Sequence, residues 1–313
     1  MSGTFDSMVT AAHRGKTAGE LLASRVDALH GVSSADADKL QAAFGVGSVQ
    51  DLADNRYFRR AQAIWHAEAL DHDPGPSPEW QAFFAQAPVQ HYVSHPAGRF
   101  RLDFGPVYYR GRLDGTARLL VVGQDPSTNE ILAHRVFVGT SGQRVQRLLR
   151  KVGLSRSYTM VNTFLFSVFG QFDNELRAIS LEPEILGYRN ALLDRVVAEN
   201  PVQAVVSFGA GARHAVDNWP GAGGLLSFDL VHPAAPDNLV LPDWNAALPG
   251  LTAALDPDDG IVPDPTPYGA TFTPADLAEI PRFDVPFGVP DFHRQGGGHS
   301  NRDGNKKIVW QAP

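Results

Sequence analysis

The sequence has no cysteine. Disulfides, cysteine nucleophiles, zinc–thiolate sites and iron–sulfur clusters are all excluded together. It also lacks any excess of positive charge: 27 Lys and Arg face 34 Asp and Glu, a net charge of −7. That argues against a strongly basic nucleic-acid coat protein but leaves room for a local basic face. No apolar run approaches the roughly 18–20 residues of a membrane-spanning helix. The opening MSGTFDSMVTAAHRG has no apolar centre of the kind a signal peptide needs. The expectation is a cytoplasmic protein with no membrane partner. No internal repeat is visible.

What is present divides into three parts. At 313 residues the chain can bury one sizeable core and carry appendages. Residues 1–80 read as a helical module and linker, with apolar residues at three- and four-residue spacing in GELLASRVDALHG, SADADKLQAAFG and VQDLADNRYFRRAQAIWHAEAL. The break DHDPGPSPE suits a linker. Residues 81–255 alternate strand and helix: RLLVVG, YTMVNTF, VQAVVSFG and LLSFDLVH are separated by RVQRLLRKVG, EPEILGYRNALLDRVVAEN and GARHAVDNW, and PDWNAALPGLTAAL follows. That alternation implies an α/β fold, a three-layer α/β/α arrangement around a short, mainly four-stranded parallel sheet. Residues 256–313 are rich in Pro and Gly and read as an extended tail on the core, with GGGHSNRDGNKK mobile.

Each strand ends on a distinctive residue. The first runs into Gln124 and Asp125, the second into Asn162, the third into Gly209 and Gly211, the fourth into His232. In a parallel sheet these ends share one edge, where ligands bind. Singly, each is more often a turn residue or a hydrogen-bonded structural group. Four at one edge make a site.

Here the residues resemble a known superfamily. GQDP (123–126) resembles the first motif of family 1 uracil-DNA glycosylases, and HPAAP (232–236) the motif that closes their site. VNTFLF (161–166) looks like the strand whose Asn reads uracil. EILAHRVFVGTSG (130–142) is similar instead to family 4 enzymes, with their FVG-x-x-G turn at the same spacing from the motif glycine. The chain is thus a mosaic over about residues 105–250, a branch apart from both. It lacks the four cysteines of family 4, and Ser127 stands where family 1 has Tyr.

The resemblance implies base flipping and hydrolysis of the bond between uracil and deoxyribose. Asp125 would stabilise the oxocarbenium-like sugar and orient water. His232 would donate to uracil O2 as charge builds, with Pro233 stiffening its loop. The Asn162 amide would match uracil N3–H and O4 and mismatch cytosine. Phe137 would stack on the base, Gln124 N–H would add a donor, and Glu130 would close the edge that carries the thymine methyl. For DNA, the basic residues Arg144 and Arg147, with Lys151 on the same helical face, would meet phosphates. Gly209, Gly211 and Ala234 would let backbone N–H groups approach them, and Leu239 or Leu241 would fill the vacated stack. FGVGSVQDLA (44–53) loosely resembles a helix-hairpin-helix turn, but its acidic surroundings favour a packing module.

The expectation is a monomeric, monofunctional uracil-DNA glycosylase of base-excision repair. It acts on uracil-containing DNA with no cofactor and no metal. The two histidines of HRQGGGHSNR lack a third ligand, and no Lys in the motifs could form a Schiff base. The alternatives are a glycosylase for hypoxanthine or xanthine and a catalytically silent DNA-binding relative.

Overall fold

The computed structural model describes residues 5–61, 71–96, 98–290 and 293–294. The chain divides into two compact units, Met1–Asp71 and His72–Pro313. The distal part of the third expected amino-terminal helix (62–70) and the glycine-rich GGGHSNRDGNKK lie outside the described residues.

The first unit contains α1 (Ala18–Leu22), α2 (Ser34–Phe44) and α3 (Val49–Asp54). Thr17, Ser33 and Ser48 cap their amino termini by accepting backbone N–H groups, which satisfies donors a helix leaves open. Gly45 ends α2 in the left-handed conformation, φ 70°. The sequence pattern predicts one helix over 19–31, but α1 stops at Leu22. Isolated bridges of Arg25 with Ser48 and Val9 with Leu29 draw the backbone into extended pairing there. Val26 and Ala28 are buried from a single 3₁₀ turn instead.

The second unit is built on a five-stranded sheet. Its strands are β2 (Arg110–Gly111), β3 (Leu119–Gly123), β4 (Tyr158–Asn162), β6 (Ala204–Phe208) and β7 (Leu226–Leu230), in the order β2-β4-β3-β6-β7. The last four are parallel, and β2 is an antiparallel edge. Strand periodicity sorts the side chains into two layers. Leu119, Val121, Met160 and Val206 join one core cluster, while Leu120, Val122, Val161 and Val205 join another on the opposite face. Against the first face pack α7 (Gly139–Lys151) and α11 (Asp237–Ala254), through Val145, Leu148, Trp244 and Leu248. Against the second pack α4 (Pro78–Phe84), α9 (Pro183–Glu199) and α10 (Ala210–Asp217). The architecture is the three-layer α/β/α fold read from the sequence.

Smaller elements complete the frame: α5 (Val89–Ser94), α6 (Thr128–Ala133) and α8 (Asn174–Ile179). A two-stranded antiparallel ribbon joins β1 (Phe100–Arg101) to β5 (Ser167–Val168). Beyond Leu255 the described residues lie on the core with little regular structure. Asp258 accepts backbone N–H groups of Ser155, Arg156 and Ser157. Asp284, 0 % exposed, takes ion pairs from Arg110 (3.0 Å) and Arg112 (2.7 Å) and a hydrogen bond from the Tyr158 hydroxyl.

Candidate active site

Because β3 is flanked by β4 on one side and β6 on the other, the connections diverge there. The carboxyl ends of these strands frame a crevice. A cavity of about 660 Å³ occupies it. Of the residues singled out from sequence, Gln124, Asp125, Glu130, Phe137, Asn162, Gly209, Ala234 and His232 all line this cavity.

Gly123 and Asn162 face each other across β3 and β4. A Cβ at Gly123 would collide with Asn162 Oδ1 and lie 3.0 Å from the Phe137 ring. The motif glycine is therefore the space into which the amide folds. Asn162 is 3 % exposed and its amide nitrogen has no partner among the described residues. A buried donor left open costs stability, which is repaid when a ligand oxygen meets it.

One residue on, Asp125 enters the cavity. Its Oδ2 accepts the Val168 N–H of the ribbon and its Oδ1 accepts from Gln124 Nε2, both at 2.9 Å. Burial nevertheless raises its pKa above the ordinary 3.8, opposed by those two hydrogen bonds and by the charge of Arg101. An ionised carboxylate at a half-buried wall is suited to stabilising positive charge.

His232 follows β7. Its Nδ1 accepts the Ala234 N–H at 3.1 Å, which leaves the ring proton on Nε2. Burial lowers its pKa below 6.5 and keeps the imidazole neutral. The ring is thus set as an Nε2–H donor. The loop is clamped from α7 and α11. Arg144 Nη1 donates to the Pro233 carbonyl at 2.6 Å, Asp243 accepts the Val231 N–H, and Trp244 Nε1 donates to the Val231 carbonyl.

Phe137 sits in the left-handed region, φ 51°, unusual for an aromatic residue. Two contacts impose it. Glu130 Oε1 accepts the Phe137 N–H, and Gly142 of α7 leaves room for the Phe137 carbonyl where a Cβ would clash. The other Glu130 oxygen accepts the Ser127 N–H at 2.6 Å. Glu130 lines the cavity, but both oxygens are committed to holding this turn. Burial pushes its pKa up to about 7, against those two hydrogen bonds.

Six of the sequence candidates do not line the cavity. Gly211 is packed beneath Gln124, whose side chain occupies the place of its missing Cβ. The basic face of α7 is not an open stripe, and Arg144 and Arg147 lie outside the cavity lining. Arg144 serves the Pro233 carbonyl and stacks 4.0 Å over Phe272. Arg147 is partly buried, its Nε shielded from solvent, and Lys151 is buried and ion-paired to Asp264 at 3.1 Å. The carboxy-terminal segment covers them, and nothing within the helix foretells that. Leu239 is 54 % exposed on the first turn of α11, whereas Leu241 belongs to the core. Sequence reasoning missed Arg101 and Ser167, which the ribbon delivers to the cavity, and Ser141 of the FVGTSG turn. A ribbon of two-residue strands leaves no periodic signal; only Arg101 in a locally apolar FRLDF could have hinted at it.

Fold and site together define a class: an α/β protein with a cavity at its parallel-strand ends, lined by a partly buried carboxylate and a neutral histidine. Residues 111–237 match the family model described as Uracil DNA glycosylase superfamily, from β2 to the first residue of α11. The chain therefore carries a domain of that superfamily, whose members are DNA glycosylases that hydrolyse N-glycosyl bonds in DNA repair. No curated protein matches the chain.

Proposed function

We propose that the protein is a monofunctional uracil-DNA glycosylase that releases uracil from DNA and leaves an abasic site. The observation that carries this reading is the open Asn162 amide nitrogen in one cavity with the Phe137 ring, the His232 Nε2–H donor and Asp125. An amide offers a donor to uracil O4 and an acceptor to N3–H; cytosine presents the opposite pattern. Phe137 stacks on the flipped base. As the C1′–N1 bond breaks, its electron pair passes to uracil, where His232 Nε2–H stabilises the charge on O2. Asp125 faces the cationic sugar and orients the water whose oxygen then bonds C1′; the proton this water loses passes to Asp125 and on, through solvent, to the uracil anion. The Gln124 N–H adds a donor to the base. Glu130, by fixing the Phe137 turn, keeps the wall at the C5 edge closed, so thymine is refused. Among the described residues no Lys lines the cavity, which supports simple hydrolysis without a Schiff base. In this reading the reaction needs no cofactor, and the enzyme works as a cytoplasmic monomer. Among the described residues no helix is long and apolar enough to cross a membrane.

The test is incubation of the purified protein with single- and double-stranded oligonucleotides, each holding one uracil, hypoxanthine, xanthine or thymine, followed by alkaline cleavage. Cleavage at uracil with thymine intact is expected. Cleavage only at the purines, or binding without turnover, would refute the assignment.

A further inference from the structure

We propose that His91, His95 and Glu182 form a binding site for a divalent transition-metal ion of the zinc class, structural in role and separate from the cavity. This departs from the sequence expectation of no metal, because the ligands come from two distant segments. His91 lies in α5, and His95, the extended residue that follows its last turn, brings its ring beside the same carboxylate. Glu182, the residue that opens α9, brings its carboxylate to both rings.

The donor atoms of the three side chains all lie within 4.8 Å of one another. His91 Nε2 is 2.5 Å and His95 Nε2 3.1 Å from the same oxygen, Glu182 Oε2. Glu184 Oε2 lies 3.7 Å from His91 Nε2 and can supply a fourth donor. In a tetrahedral zinc site with bonds near 2.0–2.1 Å, neighbouring donors stand about 3.3 Å apart. The observed separations straddle that value, so small side-chain rotations admit an ion.

As a hydrogen-bonded cluster the arrangement is incomplete. His91 makes a hydrogen bond to Glu182, but the His95 Nε2 atom is buried and, among the described residues, forms none, despite its proximity to the carboxylate. Two imidazoles with one carboxylate suit zinc; magnesium and calcium prefer oxygen throughout.

The position gives the ion something to hold. Between the two histidines, buried Tyr92 accepts the Leu165 N–H. The His95 ring packs on Phe100, at 5.5 Å between centroids. Phe100 pairs with Val168, and the Val168 N–H holds Asp125. None of the three ligands lines the cavity. An ion here ties α5 to the start of α9 and stiffens the ribbon behind the carboxylate.

The test uses the full chain, stripped with EDTA, dialysed and titrated with zinc sulfate against a chromophoric chelator. Metal content after zinc-supplemented expression is read by mass spectrometry. About one zinc per chain is expected, with a rise of several degrees in Tm on reloading. The His91→Ala/His95→Ala double variant should lose both responses, Glu182→Gln should weaken binding at least tenfold, and His299→Ala, in the tail, should change neither. His91→Asn serves the same purpose should the double variant not fold. No stoichiometric zinc in the unmodified chain, or full zinc retention by the His91 or double variant, overturns the proposal.

Discussion

Replacing Gly123 with Ala adds one methyl group, and the structure says where it goes. Gly123 does not lie in the left-handed region, so alanine fits the backbone of β3 without strain. In an ordinary strand the change would be neutral or stabilising by some tenths of a kcal/mol. Here the new Cβ overlaps Asn162 Oδ1 and presses on the Phe137 ring at 3.0 Å. The overlap is removed only if the amide swings away by about 1 Å, and a displacement of that size in a positioning group costs about 10²-fold in rate. Overpacking adds about 1–3 kcal/mol of destabilisation, so the folded fraction must be measured beside the kinetics. The assay is single-turnover excision from a uracil oligonucleotide with saturating protein, with Tm determined in parallel. A rate about 10²-fold lower with a folded variant is expected. Excision within threefold of the unmodified protein would show that Asn162 does not need that space, and the reading of the amide as base reader would fail.

Asp125→Asn should lower the single-turnover rate by about 10²–10³, roughly 3–4 kcal/mol, with DNA binding retained in a filter-binding assay. Because burial raises the Asp125 pKa, kcat/KM should fall as pH drops through a midpoint above 3.8; a flat acid limb would refute the need for its ionised form. Asn162→Asp should weaken uracil excision and admit some cytosine, checked on a cytosine oligonucleotide; unchanged uracil kinetics would exclude it as reader. Lys151→Met should leave the salt dependence of DNA binding unchanged, since its charge is spent on Asp264. A drop of about 0.9 in the log–log slope would show a phosphate contact instead. Asp284→Ala strands the charges of Arg110 and Arg112 and should cost about 3–5 kcal/mol in urea unfolding; a loss below about 1 kcal/mol would mean solvent reaches the cluster.

The four parallel strands were legible because each apolar or alternating stretch is ended by a turn residue, a signal that depends on the chain alone. Asp125, Asn162 and His232 were legible for the same reason: strand ends must share an edge. The register of β1 with β5 was not, because two-residue strands are defined by the partner they meet. The carboxy-terminal helix was read from Pro242, yet α11 begins at Asp237 and carries Pro242 and Pro249 inside it. Its apolar face on the sheet outweighs the two lost hydrogen bonds. The work of Glu130 and Arg144 was hidden too. Their chemistry is visible in sequence, but their partners, a Phe137 N–H in a left-handed turn and the Pro233 carbonyl, exist only once the loops have folded.

The covering of α7 also governs how the molecule meets its polymer. With Lys151 neutralised and Arg144 turned inward, two of the four cations of α7 are spent within the protein, and the chain as a whole is negative. A polyanion is therefore not drawn in from a distance. Encounter rates should sit near the unsteered range of about 10⁵–10⁶ M⁻¹s⁻¹, and higher ionic strength should quicken the first collision by damping the mutual repulsion. Such a protein finds its lesion by many brief, short-range collisions, and the grip that follows is set by the walls of the cavity.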